Sequence, residues 1–551
     1  MMKVNKARSG TAMILPSGLN RGWQTASIML AFVVFMPLLV LSFSWLSINT
    51  DVWAHMAGTL LPDVIFNTFV LLVGVTVGVL ILGISLAWLT SMCEFPGRRF
   101  FDWALMLPFA MPAYVLAFVF LGLMDFSGPV QSGLRYLFDL PGNWIIEVRN
   151  AYGVIIVMIL VLYPYVYMLA RVAFLSQGQS VFDAGRSLGL SPFKAFYKVA
   201  LPMARPGIVA GLSLALMEAL ADFGAVAVFN YDTFTTAIYK AWFGFFDLQA
   251  AAQLATILLA LVLIALTVER YLRGRSRFDE HRSNRWRRIE LTGQRKWWVT
   301  FYCSMVFLLA FMVPLLQLVL WAWESRADLD GRYIDLFSHT FILGCSAAIL
   351  TVIGAFTLSY NRRLHNNMIS KIAVRFGTLG YALPGSVLAV GVMISLVWMD
   401  QRLADLLEYL FSMEVALLLS GSVLALLIAY YARFQAVAYG PIESAMERIK
   451  PSISEAAQSL GTTGWQTVKL IYFPMLRPGM LTAALLVLVD TMKEMPATLL
   501  LRPFGWDTLA VRIYEMTSEG EWERAALPAV ALVIVGLIPV SVLVRKSIRL
   551  N

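Results

Sequence analysis

Apolar runs long enough to cross a bilayer recur at roughly 24–46, 64–91, 103–124, 151–174, 206–229 and 247–270. Six more follow at roughly 297–321, 338–360, 376–398, 415–438, 478–501 and 525–545. A helix needs about 20 such residues to traverse the hydrocarbon. The pattern therefore predicts an all-α polytopic membrane protein with about twelve transmembrane helices. Charge between the runs predicts their orientation. Arg98 and Arg99, the 171–205 and 433–477 loops, the 270–296 stretch, Arg362, Arg363, Lys371, Arg375, Arg545, Lys546 and Arg549 all fall on one side. The positive-inside rule makes that side cytoplasmic, with both termini on it. Six is even, so the two halves run in the same direction, as two parallel six-helix repeats. Residues 1–23 read as a cytoplasmic tail, 24–270 as the first repeat, 271–296 as a basic cytoplasmic linker and 297–551 as the second repeat. The first run lacks a clear cleavage site and reads as a retained helix.

The repeat shows most directly at 183–208, DAGRSLGLSPFKAFYKVALPMARPGI, and 455–480, EAAQSLGTTGWQTVKLIYFPMLRPGM. They align without a gap at an offset of 272, and nine of their 26 positions are identical. Each reads as a short helix, a glycine stop at Gly189 or Gly461, and a second short helix. Pro202 then breaks that helix and Pro206 opens the next, an apolar span.

That span carries acids in both copies. Glu218 and Asp222 lie in MEALADFGAV; Asp490 and Glu494 lie in VDTMKEMPAT, together with Lys493. Glu218 matches Asp490 and Asp222 matches Glu494 at the same offset. Four residues apart, each pair occupies one helix face. Each charge costs roughly 2.5–3.5 kcal/mol at the bilayer centre on insertion scales. Gly224 and Pro496, again equivalent, weaken the helix just beyond the acids. Interrupted helices at matched positions of two repeats mark a translocation path. The same acids would also serve as hydrogen-bond partners across the bundle.

Composition narrows the class. Of 551 residues, 59% are hydrophobic and only 14% charged, against about 25% charged in soluble domains. The net charge of +9 would suit nucleic acid in a soluble protein. Here it sits between spans and orients them, so no nucleic-acid partner is expected. Cys93, Cys303 and Cys345 are far apart and make no metal or redox spacing. There is no GxxxxGK[ST] and no hydrolase or zincin motif, so the chain is not expected to be an enzyme. Outward loops 230–246 and 502–524 share Asp232-Thr233 with Asp507-Thr508, and Ile238-Tyr239 with Ile513-Tyr514. They read as an aromatic interfacial belt or as a platform for a partner.

The 455–480 segment resembles the EAA motif of ABC-importer permeases. The match rests on Glu455, Ala456, Ala457, Gly461 and Pro474. The earlier copy keeps Ala184, Gly189 and Pro202 but departs with Asp183 for glutamate, which keeps the charge, and Gly185 for the second alanine, which bears on how equally the two loops couple. Residues 218–244 and 493–529 are similar to the fused permeases of ferric-iron ABC importers, and the likeness extends over the whole chain. The resemblance implies an inner-membrane permease that forms the translocation path for ferric iron. It implies a cytoplasmic ATPase partner, as a homodimer, which uses the ATP, and a periplasmic or extracytoplasmic substrate-binding protein. It implies no cofactor bound by this chain, and no metal ligand is firmly assigned. Glu218, Asp222, Asp490 and Glu494 would line the path. Fused permeases for thiamine or phosphonates look broadly similar. An ion-coupled secondary transporter also has repeats and intramembrane acids, but needs no cytoplasmic docking segments.

Overall fold

The computed structural model describes residues 17–177, 192–273, 288–411, 418–462 and 464–548. Eleven helices among them are long and apolar enough to cross a membrane. They become twelve when Arg98–Ala110 and Ala113–Leu123, bent by 94° at their junction, count as one broken span. The only strand pairing among the described residues is a two-residue parallel bridge between Cys93–Glu94 and Ile289–Glu290. Each apolar run overlaps a helix, though the fifth and eleventh spans start earlier and stop within their runs, at Ala221 and Lys493, and the ninth and tenth start later, at Gly385 and Val423. The ninth run begins near 376 in the sequence, but a 3₁₀ turn at Leu379–Ala382 intervenes and the helix begins at Gly385. Pro384 explains the delay: with no N–H and a fixed φ, it suits a helix entrance rather than its interior.

Helix Leu61–Met92 shows why these elements form as they do. It has 32 residues, about 48 Å at 1.5 Å per residue, longer than the hydrocarbon is thick. Ile65, Phe66, Phe69, Val73, Val77 and Ile81 form an exposed apolar stripe, while Val64, Thr68, Leu71, Val75, Val79 and Leu86 are buried on the other face. In water such a stripe would be an aggregation hazard; in lipid it is the solvated face. The buried face packs on Ala151–Ser176, where a Cβ at Gly78 would overlap Ile159. Helix Leu201–Ala221 approaches the same partner as closely: a Cβ at Gly211 would lie 2.7 Å from Val166 Cα and 2.8 Å from the Tyr165 carbonyl. Where apolar burial against lipid offers little, this close contact supplies the attraction between helices. A buried bidentate pair, Arg171 Nε and Nη2 to Asp102 at 2.6 and 2.7 Å, ties Ala151–Ser176 to the cap of the broken span. Tyr167 donates to the Asp102 carbonyl at 3.0 Å.

The chain divides into two compact units that interleave the sequence repeats. One comprises residues 1–39, 342–381 and 427–491; the other 40–341, 382–426 and 492–551. In the first, Ser27 of the leading helix Ser17–Phe43 donates to the Thr357 carbonyl at 3.4 Å. Trp23 packs edge-on to Tyr360 with ring centroids 4.9 Å apart, and Phe35 meets Phe376 at 4.6 Å. In the second unit, Tyr302 of Gln294–Phe307 shares a 2.8 Å hydrogen bond with Ser85. Thr300 donates to the Pro96 carbonyl at 3.0 Å. Ser85 and Thr357 are equivalent at the 272-residue offset. Each repeat's leading helix therefore rests on the second helix of the other repeat.

Candidate functional site

The 455–480 segment is a helix-turn-helix on a hydrophobic base. Helix Pro451–Ser459 stops at Gly461, whose φ of +86° only glycine adopts without strain. The Thr462 amide reaches back to the Ala457 carbonyl at 3.1 Å, the six-to-one bond of a Schellman stop. Tyr360, Met446, Ile449, Val468, Tyr472 and Leu476 form the base, with Trp23 and Ile453 packed against it. Ser454 and Tyr472 share a 2.7 Å hydrogen bond beneath the loop. Ala457 is buried, whereas Glu455, Ala456 and Gly461 are exposed. So are Leu460, at 86%, and Trp465. The segment thus presents one acid and two large apolar side chains at its surface. In the first copy, Asp183, Ala184 and Gly189 lie outside the described residues.

The prolines act differently from expectation. Pro202 does not break its helix, and Pro206 does not open a new one. Five residues of π-helix, Phe196–Ala200, lead directly into Leu201–Ala221, and both prolines sit within one continuous span, Phe196–Ala221. Val468–Tyr472 does the same ahead of Pro474 and Pro478, within Trp465–Lys493. A proline ring clashes with the carbonyl four residues earlier. One wider turn takes up that misfit without ending the helix.

The breaks come instead at the acids. Helix Leu201–Ala221 ends before Asp222, whose ψ of 131° is extended; Phe223 follows at φ −115° and ψ −40°, and Gly224–Val228 restarts the helix. Phe473–Lys493 ends before Glu494; Met495 follows at φ −108° and ψ −48°, and Pro496–Leu501 restarts it. Asp222 Oδ1 accepts from the Ala225 and Val226 amides at 2.9 and 3.2 Å. Glu494 Oε1 accepts from the Ala497 amide at 3.1 Å. Thr235 and Thr498 donate to the Asp222 and Glu494 carbonyls at 2.6 and 2.7 Å. This matched pair caps the restarting helices, where orphan amides and the helix dipole favour a carboxylate. Glu494 is 6% exposed. The other matched pair lies one turn earlier: Glu218 is exposed and Asp490 half-buried. Among the described residues no three His, Cys, Asp or Glu side chains gather as a metal-ligand set.

A third break meets these two in the second unit. The 94° bend follows Ala110, where Pro112 initiates Ala113–Leu123. Lys493 Nζ donates to the Phe109 carbonyl at 3.1 Å, and the Tyr114 hydroxyl makes a long 3.5 Å bond to the Lys493 carbonyl. A Cβ at Gly224 would lie 2.6 Å from both Met495 Cε and Tyr114 Cβ. Sequence reasoning found the acids but missed Tyr114 and the Lys493 contact. The paired Pro108 and Pro112 were the available signal for the bend.

Loops 230–246 and 502–524 are built from matched parts with rearranged charges. In 230–246, Thr233 and Thr236 form a capping box and Lys240 pairs with Asp232 at 2.7 Å. In 502–524, Glu515 takes the place of Lys240 in the register set by Asp232-Thr233 and Asp507-Thr508. Arg502 compensates by bonding both Asp507 and Glu515, the latter at 2.7 Å. Trp506 stacks on His339 at 4.7 Å. A cavity of about 240 Å³ opens beside them, lined by Asp330, Tyr333, His339, Asp507, Arg512 and Arg524.

Known proteins place this architecture. The family described as binding-protein-dependent transport system inner membrane component matches residues 79–275 and again 351–549. An Fe(3+)-transport system permease protein, FbpB 2 of Haemophilus influenzae, is 28% identical over 497 residues, covering 89% of this chain and 91% of that protein. The molybdenum transport system permease protein ModB of Escherichia coli is 30% identical over 201 residues, 35% of this chain and 86% of that one. A putative 2-aminoethylphosphonate transport system permease protein, PhnV of Salmonella typhimurium, is 31% identical over 133 residues, 24% of this chain and half of that one. With one family matching both halves and more than half of its length, this chain belongs to the inner membrane components of binding-protein-dependent transport systems, carrying the permease module twice.

Proposed function

We propose that this chain forms the translocation path of an ATP-driven ferric-iron importer. The observation that carries the cargo is coverage. The ferric-iron permease aligns with nearly the full length of both chains, whereas the molybdenum and aminoethylphosphonate permeases align with about a third of this chain or less. Ferric iron is a hard cation that prefers oxygen ligands, and Glu218 and Asp490 supply oxygens at matched positions one turn before each break. Asp222 and Glu494 hold the breaks that shape the path.

In this reading the repeats are 24–270 and 297–551, joined by a cytoplasmic linker, with both termini in the cytoplasm. The 183–208 and 455–480 segments dock on a homodimeric ATPase. Asp183, Ala184, Gly189 and Pro202 serve one contact; Glu455, Ala456, Ala457, Gly461 and Pro474 serve the other. The ATPase consumes the ATP, and this chain binds no cofactor of its own. Loops 230–246 and 502–524 receive the loaded binding protein. The test is uptake of radiolabelled ferric iron by proteoliposomes containing this chain, its ATPase and its binding protein. Uptake should require ATP and withstand excess molybdate or 2-aminoethylphosphonate. Loss of uptake to either competitor would overturn the iron assignment.

A further inference from the structure

Lys493 sits at the far end of a single helical span that begins at Trp465, after the turn at Gly461. That span has 29 residues, about 43 Å at 1.5 Å per residue. Its last side chain donates to the Phe109 carbonyl at 3.1 Å, on the near side of the 94° bend. Its last carbonyl meets the Tyr114 hydroxyl at 3.5 Å, on the far side of the same bend. One residue thus touches both arms of the broken span. The space for it is specific: a Cβ at Gly536 would lie 2.8 Å from Lys493 Cε and Nζ. The matched positions in the first repeat are Ala221 and Ile264, so the equivalent helix end has no ammonium and no glycine gap.

We propose that Lys493 is a positioning residue that ties the helix rising from the second docking segment to the bend at Ala110–Ala113. The first repeat has alanine at the matched position, so the two path helices are held unequally at their breaks. The inference rests on 455–480 being the ATPase-docking segment. The ammonium is a strong donor, and a carbonyl freed at the end of a 3₁₀ turn accepts it without competing with a helix bond.

The experiment compares Lys493→Met and Lys493→Arg in the full complex in proteoliposomes. ATP hydrolysis is read with and without loaded binding protein. Methionine keeps the length and flexibility of the chain but removes the donor; arginine keeps the donor. Lys493→Met should assemble and keep basal hydrolysis within about twofold, while stimulation by the binding protein falls at least roughly fivefold. Lys493→Arg should retain half or more of the stimulation. Normal stimulation in Lys493→Met overturns the tie, as does equal loss in both variants. Failure of both to assemble would make Lys493 a folding residue and overturn it too. Gly461→Val separates the two readings: unaltered stimulation there refutes docking itself. Lost stimulation there alongside a normal Lys493→Met refutes the tie alone.

Discussion

At the residue scale, the matched acids divide by position: Asp222 and Glu494 sit at the helix breaks, Glu218 and Asp490 one turn earlier. Asp222 and Glu494 accept amides of the helices they start, so an amide replacement keeps an acceptor and alanine does not. Asp222→Ala should lower stability by about 1 kcal/mol, the usual cost of losing a cap, while Asp222→Asn should cost less. Thermal unfolding in detergent measures the difference. Glu218 and Asp490 lie one turn earlier, outside these caps: Glu218→Gln with Asp490→Asn removes charge while keeping side-chain shape and hydrogen-bonding capacity, and should reduce iron uptake per folded transporter several-fold. Unchanged uptake would remove the pair from the path. Gly461 presents a backbone argument instead. Its φ is +86°, and a Cβ placed there would meet no atom within 4 Å, so the strain of Gly461→Val is conformational and local. The variant should insert normally and lose stimulated hydrolysis in its partner.

At the element scale, the spans were legible because lipid imposes one rule on every residue facing it. The stripe from Ile65 to Ile81 and its buried counterface are the two halves of that rule. Proline is harder to read, since its effect depends on what the neighbouring turns can absorb. Pro202 and Pro474 follow five π-helical residues and leave their spans intact. Pro112, with only Met111 between it and the preceding 3₁₀ turn, marks a 94° bend. Nothing in apolar periodicity separates these cases. The capping role of Asp222 and Glu494 was legible in part: the weak residues Gly224 and Pro496 marked the breaks, but not which acid would satisfy the freed amides. Close helix contacts give another test. Gly211→Leu would drive a side chain into the Tyr165–Val166 backbone. Such overpacking typically costs about 1–3 kcal/mol, so a lower yield of folded protein by size-exclusion chromatography should follow.

At the scale of the molecule, the internal offset of 272 residues reveals the duplication but not which parts of the two repeats touch. The contacts run crosswise. Trp23 and Ser27 of the first half rest on Tyr360 and Thr357 of the second; Thr300 and Tyr302 of the second rest on Pro96 and Ser85 of the first. A sequence offset reports which residues are equivalent, not which copy an equivalent contact is made with, so this exchange left no trace in the pattern. It has a direct consequence for folding. Each half, made alone, lacks the leading helix that covers the second helix of its own repeat. Fragments 1–280 and 281–551, expressed separately, should be degraded or aggregate in the membrane. Expressed together, they should copurify and recover ATP-dependent uptake. Replacing Trp23 with alanine should weaken that copurification, because it removes an aromatic contact worth about 0.5–1.5 kcal/mol beyond its buried area. A stable, monodisperse 281–551 fragment on its own would show that the crosswise packing is dispensable, and the two halves would then be independent modules joined only by their linker.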